Sequence, residues 1–389
     1  MTLSKNIDNY LAQDFTQLHS PAHCGYLNPR DLSEVDGLDD LQEPNGVLKE
    51  AQETTAQFFG AKESFFLVNG ASIGMQASMI ALKLYLNSIN DTRPILVARN
   101  IHKSTFNGII LADLEMQWLE PDWDENLGLY TKVTVPENLE NFSALVVTNP
   151  SYEGFYSQIP NLSIPVIVDE AHGAHYHFSD DLPKPALNYG ADIAVQSWHK
   201  TLGSLTQTGV LHVNNNSKIP VEFTKAALKL LQTTSPSYIL LESICKVLDK
   251  YQKQGLEIIK NTLARASSIT KYRVTSNDPC RCLIQVPGFS GEELDEYLSQ
   301  NKIAIEQIHQ ASVLAFINPG NKLEDIERLN QVLAKLEPRG DLKKITKPKI
   351  FQKNFRPHTS FFEKLEINIT APCPPGIVQS QKELDLVSN

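Results

Sequence analysis

The sequence has no surplus of basic charge, no long apolar run and no cysteine framework, and each absence removes a class of function. Lysine and arginine number 35 against 45 aspartates and glutamates, a formal net charge of −10. That balance argues against a nucleic-acid surface or a binder of anionic membranes. The longest uncharged stretch, Ser64 to Leu82, is broken by Asn69, Gly70, Ser72, Gly74, Gln76 and Ser78, which is too polar for a bilayer span. The opening residues Met1–Asp8 lack the apolar core of an export signal, so the expected location is the cytoplasm. Five cysteines, Cys24, Cys245, Cys280, Cys282 and Cys373, are an odd number and suit reduced, unligated thiols. Cys280 and Cys282 stand too close together for half of a zinc ribbon, and no CxxC accompanies them. No internal repeat is visible.

What is present is a series of short apolar strands that end in chemistry-bearing residues. At 389 residues, two domains are the default expectation. Ala191-Asp192-Ile193-Ala194-Val195-Gln196 reads as a buried strand and then breaks into Ser197-Trp198-His199-Lys200-Thr201. A lysine just past a buried strand is held partly out of water, which favours the neutral, nucleophilic amine. An aldimine with pyridoxal 5′-phosphate (PLP) requires such an amine. Upstream, Ile164-Pro165-Val166-Ile167-Val168 runs into Asp169, Glu170, Ala171 and His172. An anion beside the pyridinium nitrogen keeps that ring protonated and able to accept electrons. In a parallel sheet, Asp169 and Lys200 at two strand ends can hold opposite ends of one flat cofactor.

Other strand ends fall into the same scheme. Val47, Leu48, Ala51, Thr55, Phe58 and Phe59 recur at helical spacing from Asn45-Gly46 to Gly60, which marks a scaffold helix. Phe65–Val68 is the next strand, and Asn69-Gly70-Ala71-Ser72 turns directly into a helix at Ile73-Gly74-Met75. Unpaired N–H groups at that helix start can cradle a phosphate. Pro94–Ala98 delivers His102, which by itself reads as a surface or helix-start histidine. Ala144–Thr148 leads into Asn149-Pro150-Ser151-Tyr152-Glu153-Gly154. Gly209–Val213 lies a short turn beyond Lys200 and can run antiparallel. Strands alternating with helical segments predict a mainly parallel sheet covered on both faces, an α/β fold.

Beyond this sheet the chain carries a long helix and a second unit. Ser235 and Pro236 have the grammar of a helix start, as N-cap and first helical residue, and the helix is expected to reach about Ser268. Cys282–Val286 and Ser312–Ile317 are expected strands, Ser290-Gly291-Glu292-Glu293 a capping box before Leu294, Tyr297 and Leu298, and Leu323–Leu336 a further helix. The lysine-rich segment from Arg339 to Arg356 reads as a solvated connection. The expected division is an arm at 1–30, a PLP-binding large domain at 31–255 and a smaller α/β domain at 256–389.

The stretches Asp169-Glu170-Ala171-His172-Gly173-Ala174-His175 and Ser197-Trp198-His199-Lys200-Thr201 resemble the PLP-binding core of the Orn/Lys/Arg decarboxylase family, of aspartate-aminotransferase-like fold. Leu32–Leu41 resembles its Gly-Leu-Asp-Asp-Leu signature, and Ala371–Ile377 its Pro-Pro-Gly-Ile motif, after which the family's longer C-terminal domain is cut short. The His19–Tyr26 loop resembles its Pro-Gly-His-Lys motif, with Ala22 and Cys24 replacing glycine and lysine. The resemblance implies decarboxylation of lysine, ornithine or arginine, with Lys200 and His199 catalytic. It implies that Gly70, Ala71, Ser72, His102, Asp169, Ala171, His172, Ser197, His199 and Lys200 bind PLP, His102 stacking on the ring. It also implies a homodimer or higher homo-oligomer, with the arm around His23 and the Thr233–Ser237 segment crossing between subunits. From the residues alone, decarboxylation, transamination and aldol cleavage stay open, as does PLP binding without catalysis. A metal site at His172, His175 and His177 is the weaker alternative, because no His-Glu-x-x-His is present and zinc leaves Lys200 unexplained.

Overall fold

The computed structural model describes residues 2–348 and the short strand Asn354–Phe355. Helix α1 (Leu3–Leu11) buries Leu3, Ile7 and Tyr10, one stripe at helical spacing. An irregular stretch follows, within which Asp39 organises the next element. Its carboxylate accepts from the backbone N–H groups of Asn45, Gly46, Leu48 and Lys49, at 2.8 to 3.2 Å. Asp39 therefore caps helix α2 (Val47–Phe59) from outside the helix, a role the sequence shows only as an acidic turn. The helix ends at Gly60 in the left-handed conformation that glycine adopts without strain. That cap feeds straight into β1 (Ala61–Leu67), which starts four residues before the apolar run at Phe65.

Helix α3 (Gly70–Ser88) leads to β2 (Ile95–Ala98), α4 (Lys103–Leu111), β3 (Met116–Leu119) and a hairpin of β4 (Trp123–Asp124) and β5 (Leu129–Tyr130). Strands β6 (Leu145–Thr148), β7 (Val166–Asp169) and β8 (Ile193–Gln196) follow, then the four-residue helix α5 (Trp198–Thr201) and β9 (Gly209–Asn214). The sheet order is β1-β9-β8-β7-β6-β2-β3-β14, where β14 is Asn354–Phe355. Strands β8, β7, β6, β2 and β3 are mutually parallel. Strand β9 is antiparallel to both β8 and β1, so β1 points the same way as the parallel set. Six strands thus deliver their carboxyl ends to one edge.

Every residue of β2, β6, β7 and β8 is buried, which explains continuous apolar runs where a half-exposed strand would alternate. Alternate side chains feed opposite cores. Ile95, Val97, Val146, Ile167 and Val195 pack with Met75, Met79 and Leu82 of α3, and with Ala227 and Leu228 of α6 (Val221–Leu231). Leu96, Leu145, Val147, Val168 and Ala194 pack on the other face with Ile159 and Ile164.

Helix α7 (Tyr238–Ser267) then carries the chain across. Its N-cap is Ser237 rather than Ser235, whose N–H is taken by the Thr233 hydroxyl (3.2 Å). The second unit is a wholly antiparallel sheet of β10 (Arg273–Val274), β11 (Arg281–Ile284), β12 (Gln307–Ile308) and β13 (Val313–Phe316), ordered β10-β11-β13-β12. Helices α8 (Gly291–Gln300) and α9 (Leu323–Ala334) cover it, and the Ser290–Glu293 capping box is formed in both directions. One hydrophobic core runs from Leu3 through α7 to Leu336. The segment after Arg339 is not simply solvated: the Ile345 backbone bonds to the hairpin, its carbonyl accepting from the Trp123 indole Nε1 (3.1 Å) and its N–H donating to the Glu125 carbonyl (2.7 Å). The Ala371–Ile377 motif and Cys373 lie outside the described residues.

Candidate active site

The carboxyl ends of β1, β2, β6, β7 and β8 converge on Lys200. Strand β8 ends at Gln196, Ser197 is buried at the head of α5, and Lys200 follows on that single helical turn. Lys200 Nζ lies 3.1 Å from His172 Nε2. Burial lowers the affinity of this amine for its proton, Arg281 adds to that effect, and the negative charges of Asp169 and Glu306 oppose it. His172 is held neutral, well below the ordinary histidine range, by burial first and then by the charges of Lys200 and Arg281. The Lys200 amine, its hold on the proton weakened by burial, can donate to the neutral His172 imidazole across that contact.

Asp169 closes β7, and its Oδ1 accepts from the Ala171 N–H (3.1 Å). Burial raises its pKa against the pull of His102 and Lys200. A sealed carboxylate of this kind gains most from a cationic partner. His102 is the N-cap of α4, its Nδ1 accepting from the Ser104 N–H (3.1 Å), so the helix-start reading holds for its backbone position. Its ring nonetheless senses both Asp169 and Lys200, and burial depresses its pKa.

At the head of α3, Gly70 has φ +77° with open space where a side chain would stand. The Asn69 side chain makes no cap bond to the helix and instead accepts from the Thr233 N–H (3.3 Å). The first-turn N–H groups of α3 are therefore left without a side-chain cap. Ser72 is exposed there, while Ala71 is buried against the sheet. The buried His172 Nδ1 has no partner among the described residues. An uncapped anion cradle, a sealed carboxylate, a partly desolvated amine and an unpartnered ring nitrogen suit the phosphate, pyridinium and aldehyde of PLP.

The remaining predicted residue, His199, turns elsewhere: its Nδ1 meets the Thr208 carbonyl at 2.8 Å. Nor do the three clustered histidines converge. His175 Nε2 lies 3.0 Å from Asp278 Oδ2, and the His177 ring packs 4.6 Å from that of Phe59. His175, Asp278 and Cys280 do bring three ligand-type atoms within 4.8 Å, but the Arg281 guanidinium already supplies positive charge beside Asp278.

Sequence reasoning missed four residues around Lys200. Tyr152 follows β6, and its ring centroid is 5.9 Å from Lys200 Nζ and 4.7 Å from the His172 ring. Its hydroxyl donates to Glu306 Oε1 at 2.5 Å. Arg281 and Phe316 come from β11 and β13, with the guanidinium stacked 4.0 Å over the Phe316 ring and reaching the His172 carbonyl at 3.5 Å. Tyr152 could have been found, since it follows a buried strand at the same edge. Arg281, between two cysteines, carries no such signal. A separate cleft of about 860 Å³ between α2, β1 and α6 is lined by none of these residues, and three of its lysines, Lys49, Lys225 and Lys229, pair with Glu53, Glu63 and Glu43.

The Orn/Lys/Arg decarboxylase major-domain family matches residues 26–286. An uncharacterised Bacillus subtilis protein, YaaO, is 36% identical over 79% of this chain and 70% of its own length. An arginine decarboxylase of the same organism is 30% identical over 79% of this chain and 68% of its own length. Among solved structures, the constitutive lysine decarboxylase of Escherichia coli superposes with a TM-score of 0.71 at 19% identity, a likeness of fold. That match covers 86% of this chain and 60% of the other, so the chain spans about three fifths of that solved relative. Among the described residues no helix is long and apolar enough to cross a membrane.

Proposed function

The chain belongs to the Orn/Lys/Arg decarboxylase family, and we propose on that premise that it is a PLP-dependent enzyme releasing carbon dioxide from lysine, ornithine or arginine to leave the corresponding amine. The observation that carries this reading is the Lys200–His172 contact, with Asp169 in the same buried group at the sheet edge. Lys200 would hold the cofactor, Asp169 would stand beside its ring nitrogen, and His102 and Ala171 would flank the ring. Gly70, Ala71 and Ser72 would receive the phosphate, and Ser197 would fix the approach to Lys200. Bound PLP supplies an electron-accepting ring for the electron pair left behind when the carboxylate departs. The chain's own task is then a proton transfer. Lys200 Nζ, 3.1 Å from His172 Nε2, is placed to protonate the substrate Cα, and His199 is the alternative donor.

In the same reading the working unit is a cytoplasmic homodimer or higher homo-oligomer. Phe15, Leu18, Tyr26 and Leu27 stand exposed on the N-terminal arm, an apolar surface suited to a second subunit. The decisive experiment incubates the PLP-loaded protein with each basic amino acid and measures carbon dioxide and amine. Release from one or more of them is expected. Amino-group transfer without carbon dioxide would move the assignment to an aminotransferase, and cleavage of a β-hydroxy amino acid, with the basic amino acids untouched, to an aldolase-type lyase. No reaction at all would leave a PLP-binding protein without catalysis.

A further inference from the structure

We propose that Glu306, held in place by Tyr152, reads the distal cation of the substrate and so selects basic amino acids over neutral ones. This rests on the decarboxylase reading above. Lys200 feels two charges from the second unit, Arg281 and Glu306. Arg281 is fully buried and stacked on Phe316, so a ligand cannot reach it without rearrangement. Glu306 is exposed and can be touched.

Its position is fixed from both sides. The Glu306 N–H donates to the Leu314 carbonyl (2.9 Å), which ties this residue to β13 just before β12 begins. One carboxylate oxygen accepts from the Tyr152 hydroxyl at 2.5 Å. Burial, and then the bond to Glu306 itself, hold that phenol protonated, so it stays a donor. Tyr152 is neutral and leaves the carboxylate its full charge. Among the described residues no basic side chain forms an ion pair with Glu306. The Tyr152 ring spans the space between that carboxylate and Lys200 Nζ, with its centroid 5.9 Å from the amine.

A substrate whose amino group takes the place of the Lys200 amine lies one aromatic ring away from an unneutralised anion. A lysine, ornithine or arginine side chain can lie along the Tyr152 ring with its ammonium or guanidinium at Glu306, gaining a charge-assisted bond at the far end and a cation–π contact along the way. A neutral side chain of equal length gains neither and leaves the carboxylate without a partner.

The test compares wild type with Glu306→Gln and Tyr152→Phe in the PLP-loaded protein. Two readouts are taken for lysine, arginine and the uncharged lysine analogue norleucine: the change in PLP absorbance on binding, and carbon dioxide release. Glu306→Gln should raise KM for the basic substrate about 10- to 100-fold, the usual worth of a charge-assisted hydrogen bond, with kcat changed far less. Norleucine binding should be unchanged or tighter, so discrimination collapses. Tyr152→Phe keeps the charge and should lose less discrimination than Glu306→Gln. If wild type releases carbon dioxide and Glu306→Gln discriminates as before, Glu306 is not the selector while the enzyme assignment stands. If no basic amino acid reacts or perturbs bound PLP in wild type, the enzyme assignment has failed, and this inference with it.

Discussion

Lys200 and Asp169 lie in one buried group yet are assigned different work, and substitution separates them. Lys200→Ala should abolish the visible absorbance of lysine-linked PLP, while the phosphate contacts at the head of α3 still retain some cofactor. Asp169→Asn should keep that absorbance, because the amine is untouched, and slow turnover by ~100-fold or more, the few kcal/mol such a placed charge contributes. Spectra and rates of the two variants check both expectations. An intact visible band in Lys200→Ala would remove the lysine from its role. At this scale the sequence is readable wherever chemistry sits at the end of an apolar strand, as with His102, Asp169, His172 and Lys200. It is unreadable where a residue arrives from the second unit: Arg281, Glu306 and Phe316 lie more than eighty positions beyond Lys200, on or beside strands whose partners no local pattern names. His199 is where the sequence leaves the placement open, since it adjoins Lys200 in sequence while its Nδ1 meets the Thr208 carbonyl.

At the scale of elements, the acidic turn before α2 has the clearest consequence. Burial raises the Asp39 pKa, but the backbone donors around it outweigh that effect and keep it ionised. Its carboxylate satisfies four backbone donors at the head of a helix. Asp39→Ala should therefore cost about 1–2 kcal/mol, the upper part of the range for losing an N-terminal cap, while Asp39→Asn should cost less. Urea denaturation of both variants measures this, and a neutral Asp39→Ala would mean that water replaces the carboxylate at no cost. Elements with strong periodicity or a cap, such as α2, β7, β8 and α8, stand close to their expected positions. The two-residue strands β4, β5, β10 and β12 were not foreseen, because two residues have no period, and β3 carries Gln117 and Trp118 in place of an apolar run. Capping grammar placed the N-cap of α7 two residues early, at Ser235 in place of Ser237, since either serine fits the pattern.

For the whole molecule, the mainly parallel sheet was legible because strands buried on both faces leave uninterrupted apolar runs between helical segments. The second unit was expected as α/β, and its sheet proves wholly antiparallel, a distinction that depends on pairing rather than on composition. Buried acids link global stability to pH. Burial pushes the Glu153 carboxyl up to about 7, partly opposed by a bond from the Ser151 hydroxyl (3.0 Å). The folded chain thus holds this proton more tightly than the unfolded chain does, so the contribution is complete below about pH 4.5 and is lost as pH rises through 7. Glu153→Gln should remove that loss, gaining on the order of 3 kcal/mol relative to wild type between pH 5 and pH 8, as read by denaturant titration at each pH. A pH-independent difference would refute the linkage. The reversed strand β9 also sets an order of assembly. Among the described strands, β1 is hydrogen-bonded in the sheet to β9 alone, and β9 joins it to β8. On the ribosome, residues 61–67 emerge long before residues 209–214, and until then β1 lacks the strand it pairs with. Closing so distant a pair carries a loop-entropy cost that slows folding and leaves an apolar strand edge uncovered in the meantime. A nascent chain arrested before residue 209 would thus carry a sticky edge, and its solubility would hinge on chaperone cover until β9 is released.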